Sequence, residues 1–443
     1  MGVMMQAFHW DCPRVDGHEF GWWDVVRARV PALAAAGFTA LWLPPAHKAG
    51  NIGGPSMGYD PYDYYDLGEF DQKGGVPTWF GTRASLEGLI TEAHMHRMQV
   101  LADFVINHNN GADAQEQNPI DHQWRWTKFA PASGRFPRSS ECFHPSRFDR
   151  WDDGTFGEMP DLDHRNPYVY GQVLELARWL IEDIGFDGFR YDFVKGYGAW
   201  LITAIQEYRY ERAGQLITPF GVGENWSSDD TIAYWVQSAN QWNDNPVSAF
   251  DFPLRGLLKS VCDTPGFDLR AIPTWPSFSR LQPERAVTFV ENHDLRDEGQ
   301  PIVHDKLMAY SVMLTHEGYP CVFWKDYVNY GLALSGTPHG IDALVSVHER
   351  LAGGRTEVLL AEQDLYIMQR TGAGTLPGLI YVLNNRGDVW NGAWITSRFP
   401  GATLTPWAWW SATDRSQPSA RVVAADGRTD VWAPPRGYCV YGV

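Results

Sequence analysis

Cysteine is scarce, with five in 443 residues (Cys12, Cys142, Cys262, Cys321, Cys439) and none in a C-x-x-C pair. That spacing argues against a zinc knuckle or a dithiol redox motif, and an odd count over so long a chain does not describe a disulfide framework, so free thiols are expected, with a single bridge as the alternative. Positive charge is also in short supply. The 36 Lys and Arg against 53 Asp and Glu leave a formal net charge of −17. With no basic face to meet phosphates, nucleic acid is not an expected partner. No run approaches the roughly 20 apolar residues of a membrane-spanning helix, so no membrane partner is expected either. Residues 2–8 lack a basic n-region and a small-residue cleavage site, and read as a first strand rather than a signal peptide. On that reading the chain is cytoplasmic, or secreted with its leader already removed.

What is present is an ordinary folded composition, 44% hydrophobic and 20% charged, in a chain long enough for a large barrel plus accessories. Short β-type runs alternate with amphipathic helical stretches. Strands are predicted over 3–8, 40–43, 99–106, 186–191, 220–223, 247–250, 286–290 and 321–324. Helices are predicted over 22–36 (ended by Gly37), 83–97, 169–184, 199–210, 229–238, 253–262, 305–315 and 341–351. Eight strands each followed by a helix predict a (β/α)₈ barrel; an open doubly wound sheet, the alternative, rarely runs to eight repeats. Residues 109–164, rich in Asn, Asp, Pro, Trp and Phe, lack helical periodicity and are predicted to be an inserted small domain. The barrel then comprises 1–108 and 165–356. Residues 357–443, with β-rich runs between Gly, Asn and Pro turns, predict a C-terminal antiparallel β-sandwich.

Four of the strand runs end in chemistry: Asp103-Phe-Val-Ile-Asn-His108, Gly188-Phe-Arg-Tyr-Asp-Phe193, Gly223-Glu-Asn-Trp226 and Phe289-Val-Glu-Asn-His-Asp294. In a barrel their carboxyl ends meet at one face. Hydrolysis of a glycosidic bond needs one carboxylic acid to protonate the leaving oxygen and a second carboxylate across the anomeric carbon. Asp192 is the candidate nucleophile, because Arg190, two residues earlier on the same strand face, would keep it ionised. A structural Arg–Asp pair is the alternative. Glu224, beside Trp226, is expected to hold its proton near neutrality and serve as acid/base. The alternative there is a cap for the helix that follows. His293 and Asp294 suit sugar hydroxyls and a developing oxocarbenium charge. His108 and Asn107, at the end of the third strand, read singly as turn residues.

Taken together, in order and spacing, the four segments resemble the four sequence regions of the α-amylase family, glycoside hydrolase family 13. Met159-Pro-Asp-Leu-Asp163 is similar to a fifth. The resemblance runs from Gln6-Ala-Phe-His-Trp-Asp11 to the C-terminal sandwich, and implies a retaining endo-acting enzyme on the α-1,4 bonds of starch and malto-oligosaccharides, expected to act as a monomer. Exo-acting and transglycosylating relatives, and a non-catalytic carbohydrate binder, are the other readings. It implies Asp192 as nucleophile, Glu224 as acid/base and Asp294 as transition-state stabiliser. Arg190, His108 and His293 would hold the sugar, Tyr59 would stack on it, and Lys195 would contact its leaving-group side. It also implies a structural Ca²⁺ held by Asn107, Asp161 and the Gly196 carbonyl, with Asp152 as a further ligand although Thr155 replaces a carboxylate nearby. The stretch Phe193-Val-Lys-Gly-Tyr197 resembles plant and maltotetraose-forming amylases. The stretch Tyr62-Asp-Tyr-Tyr-Asp-Leu-Gly-Glu-Phe70 looks more like bacterial liquefying ones. Among 21 Trp, those at 124, 126 and 151 are the candidates for outer glucan contacts, whereas Trp407, Trp409 and Trp410 are expected to pack the sandwich, with a secondary starch-contact patch as the alternative.

Overall fold

Eight short strands close into a parallel barrel: β1 (Met4–Gln6), β2 (Ala40–Trp42), β3 (Gln99–Phe104), β4 (Gly188–Tyr191), β5 (Phe220–Gly223), β6 (Ser248–Phe250), β7 (Ala286–Phe289) and β8 (Tyr319–Phe323). The computed structural model describes residues 2–10, 12–13, 21–51, 56–149 and 156–443. Each strand pairs with its successor, and β8 returns to β1 with Cys321 opposite Met4, so no sheet edge is left open. Nearly every strand residue is buried. Strands covered on both faces are written as near-continuous apolar runs, which is why they were legible as runs rather than as alternating patterns.

The helices around the barrel bury one stripe each, as in Arg83–Met95, where Leu86, Leu89, Ile90 and Ala93 face inward. Two predicted helices differ from the structure. The one over 22–36 is broken into Trp22–Arg27 and Val30–Ala36, because Pro31 has no N–H and its ring would collide with the Arg27 carbonyl in a continuous helix. Gly37 ends the second piece at φ +107°, as expected. The one over 199–210 stops at Glu207. Tyr210 instead opens a hairpin, Tyr210–Arg212 with Gln215–Ile217, and its hydroxyl donates back to the Ile205 carbonyl at 2.7 Å.

Between β3 and the helix Pro167–Trp179, the inserted segment forms an antiparallel hairpin, Ala114–Gln117 with Trp124–Lys128. After the last barrel helix, six antiparallel strands form a sheet against which a two-stranded unit, Asn391–Thr396 with Arg428–Ala433, packs. A second apolar cluster fills that interface, with Ile367, Val382, Ile395, Val431 and Tyr441 in it. Trp409 is buried in this cluster, Trp410 packs on the main core, and Trp407 lies under the Arg350 guanidinium, so all three serve packing. All five cysteines are buried, and no disulfide joins them among the described residues.

Candidate active site

The four polar strand endings converge. A cleft of about 700 Å³ at the carboxyl ends of the strands is lined by seven of the eight residues expected to act on substrate: Tyr59, His108, Asp192, Lys195, Glu224, His293 and Asp294. The eighth, Arg190, lies under the floor and is 1% exposed.

Arg190 organises that floor. It projects from β4 two residues before Asp192, and its Nη1 meets Asp192 Oδ1 at 2.6 Å and Asp103 Oδ1 at 2.8 Å. Nη2 meets Glu224 Oε2 at 3.1 Å. One guanidinium therefore spans the two carboxylates proposed for the chemistry, and a third behind them. Asp103 is completed by the Tyr59 hydroxyl at 2.7 Å and the Trp42 indole N–H at 3.0 Å. The Arg–Asp pair considered from the sequence exists, as one arm of a shared cation.

Local backbone carries Glu224 to Asp192. Gly223 ends β5 with Trp235 so close that a Cβ there would fall 2.2 Å from its ring, so only glycine lets the strand end pack on the helix Asp229–Asn240. Phe193, just after Asp192, holds φ +45°, a strained left-handed conformation for an aromatic residue. That twist aims its N–H at Glu224 Oε2, 2.8 Å away. Glu224 is thus not the helix cap considered from the sequence; Ser228 occupies that position.

Burial, opposed by Arg190 and reinforced by the nearby charges of Asp192 and Asp294, pushes the Glu224 carboxyl up to about 8. Burial likewise pushes Asp103 up to about 7, against Arg190 and with Asp192. The Trp226 indole, invoked from the sequence, is 44% exposed and stacked on Phe252. The dry side of Glu224 is thus the barrel floor rather than the indole. Burial also raises Asp294, against Arg190 and Arg296.

His293 is held well below the usual imidazole range by burial and then by Arg190, so it is neutral. Gln6 Nε2 donates to its Nδ1 at 2.9 Å, which leaves Nε2–H facing Asp294 Oδ2 at 3.2 Å. Its ring lies parallel to Tyr59, with centroids 5.1 Å apart. His108 donates from Nε2 to the Tyr59 carbonyl at 2.9 Å, and its ring is covered by Phe156 at 4.6 Å. Lys195 reaches the Trp226 carbonyl at 3.1 Å, on the Glu224 side of the cleft.

Three contributors were not assigned from the sequence. Asp103 was visible as a strand-end carboxylate, and its register opposite Arg190 across β3 and β4 is the signal that could have placed it. Trp10 and Arg296 line the cleft together, with the guanidinium 3.7 Å over the indole and 3.4 Å from Asp294 Oδ1. Their contact spans most of the chain and left no local signal.

Of the expected calcium ligands, Asn107 and Asp161 are buried. A Cβ on Gly196 would fall 1.9 Å from Asn107 Oδ1, so the bare glycine backbone lies directly against that amide oxygen. The backbone of Asp161 pairs antiparallel with that of His108, and the Asp161 Oδ2 accepts from His144 Nδ1 at 2.7 Å. Among the described residues no group of three or more His, Cys, Asp or Glu is arranged to hold a metal, so an ion here would rely on amide and carbonyl oxygens beside one carboxylate, a donor set that suits Ca²⁺. Asp152 lies outside the described residues, as does Trp151. Trp124 and Trp126 share one face of their strand, 63% and 56% exposed, beside a cleft of about 470 Å³ whose lining shares Met159 with the catalytic cleft.

A family model described as "Alpha amylase, catalytic domain" matches residues 12–323. An α-amylase of Geobacillus stearothermophilus is 32% identical over 433 residues, covering 85% of this chain and 76% of that protein. A glucan 1,4-α-maltohexaosidase of Bacillus sp. (strain 707) is 31% identical over 441 residues, covering 87% and 82%. The fold matches that of an α-amylase from Geobacillus thermoleovorans solved with acarbose, at a TM-score of 0.67 and 19% identity over 99% of this chain and 97% of that one.

Proposed function

The chain belongs to the α-amylase family, and from that premise we propose that it is a retaining, endo-acting α-amylase that hydrolyses α-1,4-glucosidic bonds in starch and malto-oligosaccharides. The observation that carries this reading is the single Arg190 guanidinium that bonds both Asp192 and Glu224 in the cleft that Asp294 also lines.

Asp192, ion-paired and poised, attacks the anomeric carbon, while protonated Glu224 gives its proton to the glycosidic oxygen. The C1–O bond breaks, the shortened glucan leaves with a new hydroxyl, and a glycosyl ester forms on Asp192. Glu224, now a carboxylate, takes a proton from water; that water attacks C1, and Asp192 departs with net retention. Asp294, aligned by His293, stabilises the positive charge that develops in the sugar ring. The endo mode draws support from Trp124 and Trp126, whose flat faces beyond Met159 suit a glucan that continues past the point of cleavage. The similarity to a glucan 1,4-α-maltohexaosidase keeps a malto-oligosaccharide-forming mode as the second reading. Chain-length and anomeric analysis of the products from soluble starch tests both. Early internal products in the α form are expected; a single short product from the first turnovers favours the second reading, and β products overturn retention.

We also propose that Asn107, Asp161 and the Gly196 carbonyl hold Ca²⁺, whose charge would tie the inserted segment to the barrel beside the loop carrying Asp192. Prolonged chelation should lower Tm by several degrees, and an unchanged melting curve would contradict the site.

A further inference from the structure

Outside the cleft, three polar residues of the helix Phe252–Asp263 fall on one face at i, i+4 and i+8: Arg255, Lys259 and Asp263. All three grip the segment that leaves β7. Arg255 Nε donates to the Val290 carbonyl at 3.3 Å, its Nη2 to the Gln300 carbonyl, and its guanidinium pairs with Glu291 at 3.1 Å. Lys259 donates to the Pro301 carbonyl at 2.7 Å and pairs with Asp263 at 2.6 Å. Asp263 accepts from the N–H groups of Val303 at 3.0 Å and His304 at 2.9 Å. Glu291 also accepts from Ile302 N–H, so the two ends of the segment 291–302 are tied to each other as well as to the helix.

Between those tied ends lie Asp294 and Arg296, which face the cleft; neither Glu291 nor any member of the stripe lines it. Arg255 and Glu291 are 8% and 3% exposed. Desolvating such a pair offsets most of its attraction, so it makes a poor source of stability, and fixing a register is the better-attested use of a buried ion pair.

We propose that the stripe Arg255, Lys259 and Asp263, together with Glu291, is a positioning device for the reaction. It sets where the loop presents Asp294 and Arg296 to a sugar held between Asp192 and Glu224. The proposal rests on the catalytic reading above. A loop anchored at both ends transmits a shift of its anchor to its tip, and a misplacement of about 1 Å can cost on the order of 10²-fold in rate. Because Asp294 acts on charge present only in the transition state, the loss should fall on kcat rather than KM.

The test uses the full chain and a chromogenic malto-oligosaccharide, with Lys259→Met and Asp263→Asn as variants at the more accessible end of the stripe. Each should lower kcat about tenfold or more, with KM within about twofold of the parent. Arg255→Lys should retain more kcat than Arg255→Met, because only the former keeps a cation on the helix side of Glu291, which Lys306 would otherwise meet alone. Asp294→Asn is measured alongside. If it is inactive while the stripe variants keep normal kcat per folded molecule and lose only Tm, the stripe is merely structural and the proposal is overturned. If Asp294→Asn itself keeps near-normal kcat, the assignment of Asp294 falls and takes the proposal's target with it.

Discussion

Around Arg190 one buried cation faces three carboxylates, Asp103, Asp192 and Glu224. Around Arg255 and Lys306, two cations face two carboxylates, Glu291 and Asp326, with Tyr310 adding a hydrogen bond to Asp326 at 2.7 Å. Both clusters lie at the carboxyl ends of barrel strands, and both are largely dry. The first opens to the cleft with surplus negative charge; burial, reinforced by that surplus and opposed by the one guanidinium, retains a proton near neutrality. The second is matched in sign, and its Glu291, Lys306 and Asp326 line a separate, smaller pocket of about 170 Å³. Burial raises the carboxyls of Glu291 and Asp326 as well, against the cations beside them, so what separates the two clusters is charge balance and the cleft that the first one faces.

The most severe way to break this contrast is to remove the reacting carboxylates. Asp192→Asn and Glu224→Gln should each lower kcat at least about 10⁴-fold with the fold intact, as residues that act as a unit do when one is lost. Next is the matched cluster. Lys306→Met leaves Asp326 and Glu291 short of a cation, and urea unfolding should show a loss of about 3–5 kcal/mol. An equal stability loss in Glu224→Gln would erase the distinction.

The pH dependence sharpens it. Glu224 must be protonated to act as acid, so kcat/KM should fall as pH rises through about 8. The same shift bears on stability with a definite sign. The folded carboxyl keeps its proton above the ordinary carboxylate range while the unfolded one releases it, so the folded state loses stability from that range up to about 8. Glu224→Gln removes this titration. Its Tm should therefore match the parent in mild acid and rise above it by a degree or two at pH 8, the smallest effect of the set.

Much of this was readable in the chain because barrel strands are short apolar runs whose polar tips carry the chemistry. Asp192, Glu224 and Asp294 stood out as charges placed where a buried run stops. What was not readable depends on partners remote in sequence. The contact of Trp10 with Arg296 joins the first and seventh strand ends, and no spacing encodes it. The role of Asp103 needed the β3–β4 register. Periodicity carried the 22–36 helix through Pro31 because the apolar spacing continues on both sides of the break. Tyr210 fits a helical stripe and a strand equally, and its pairing with Ile217 decided the matter.

The most direct test of the central claim is to incubate the enzyme with a fluorine-slowed α-maltosyl fluoride and map the modified peptide by mass spectrometry. Loss of fluoride and formation of a glycosyl ester on Asp192 is the predicted result. An adduct on another residue, or rapid turnover to β-configured sugar without any adduct, would contradict it.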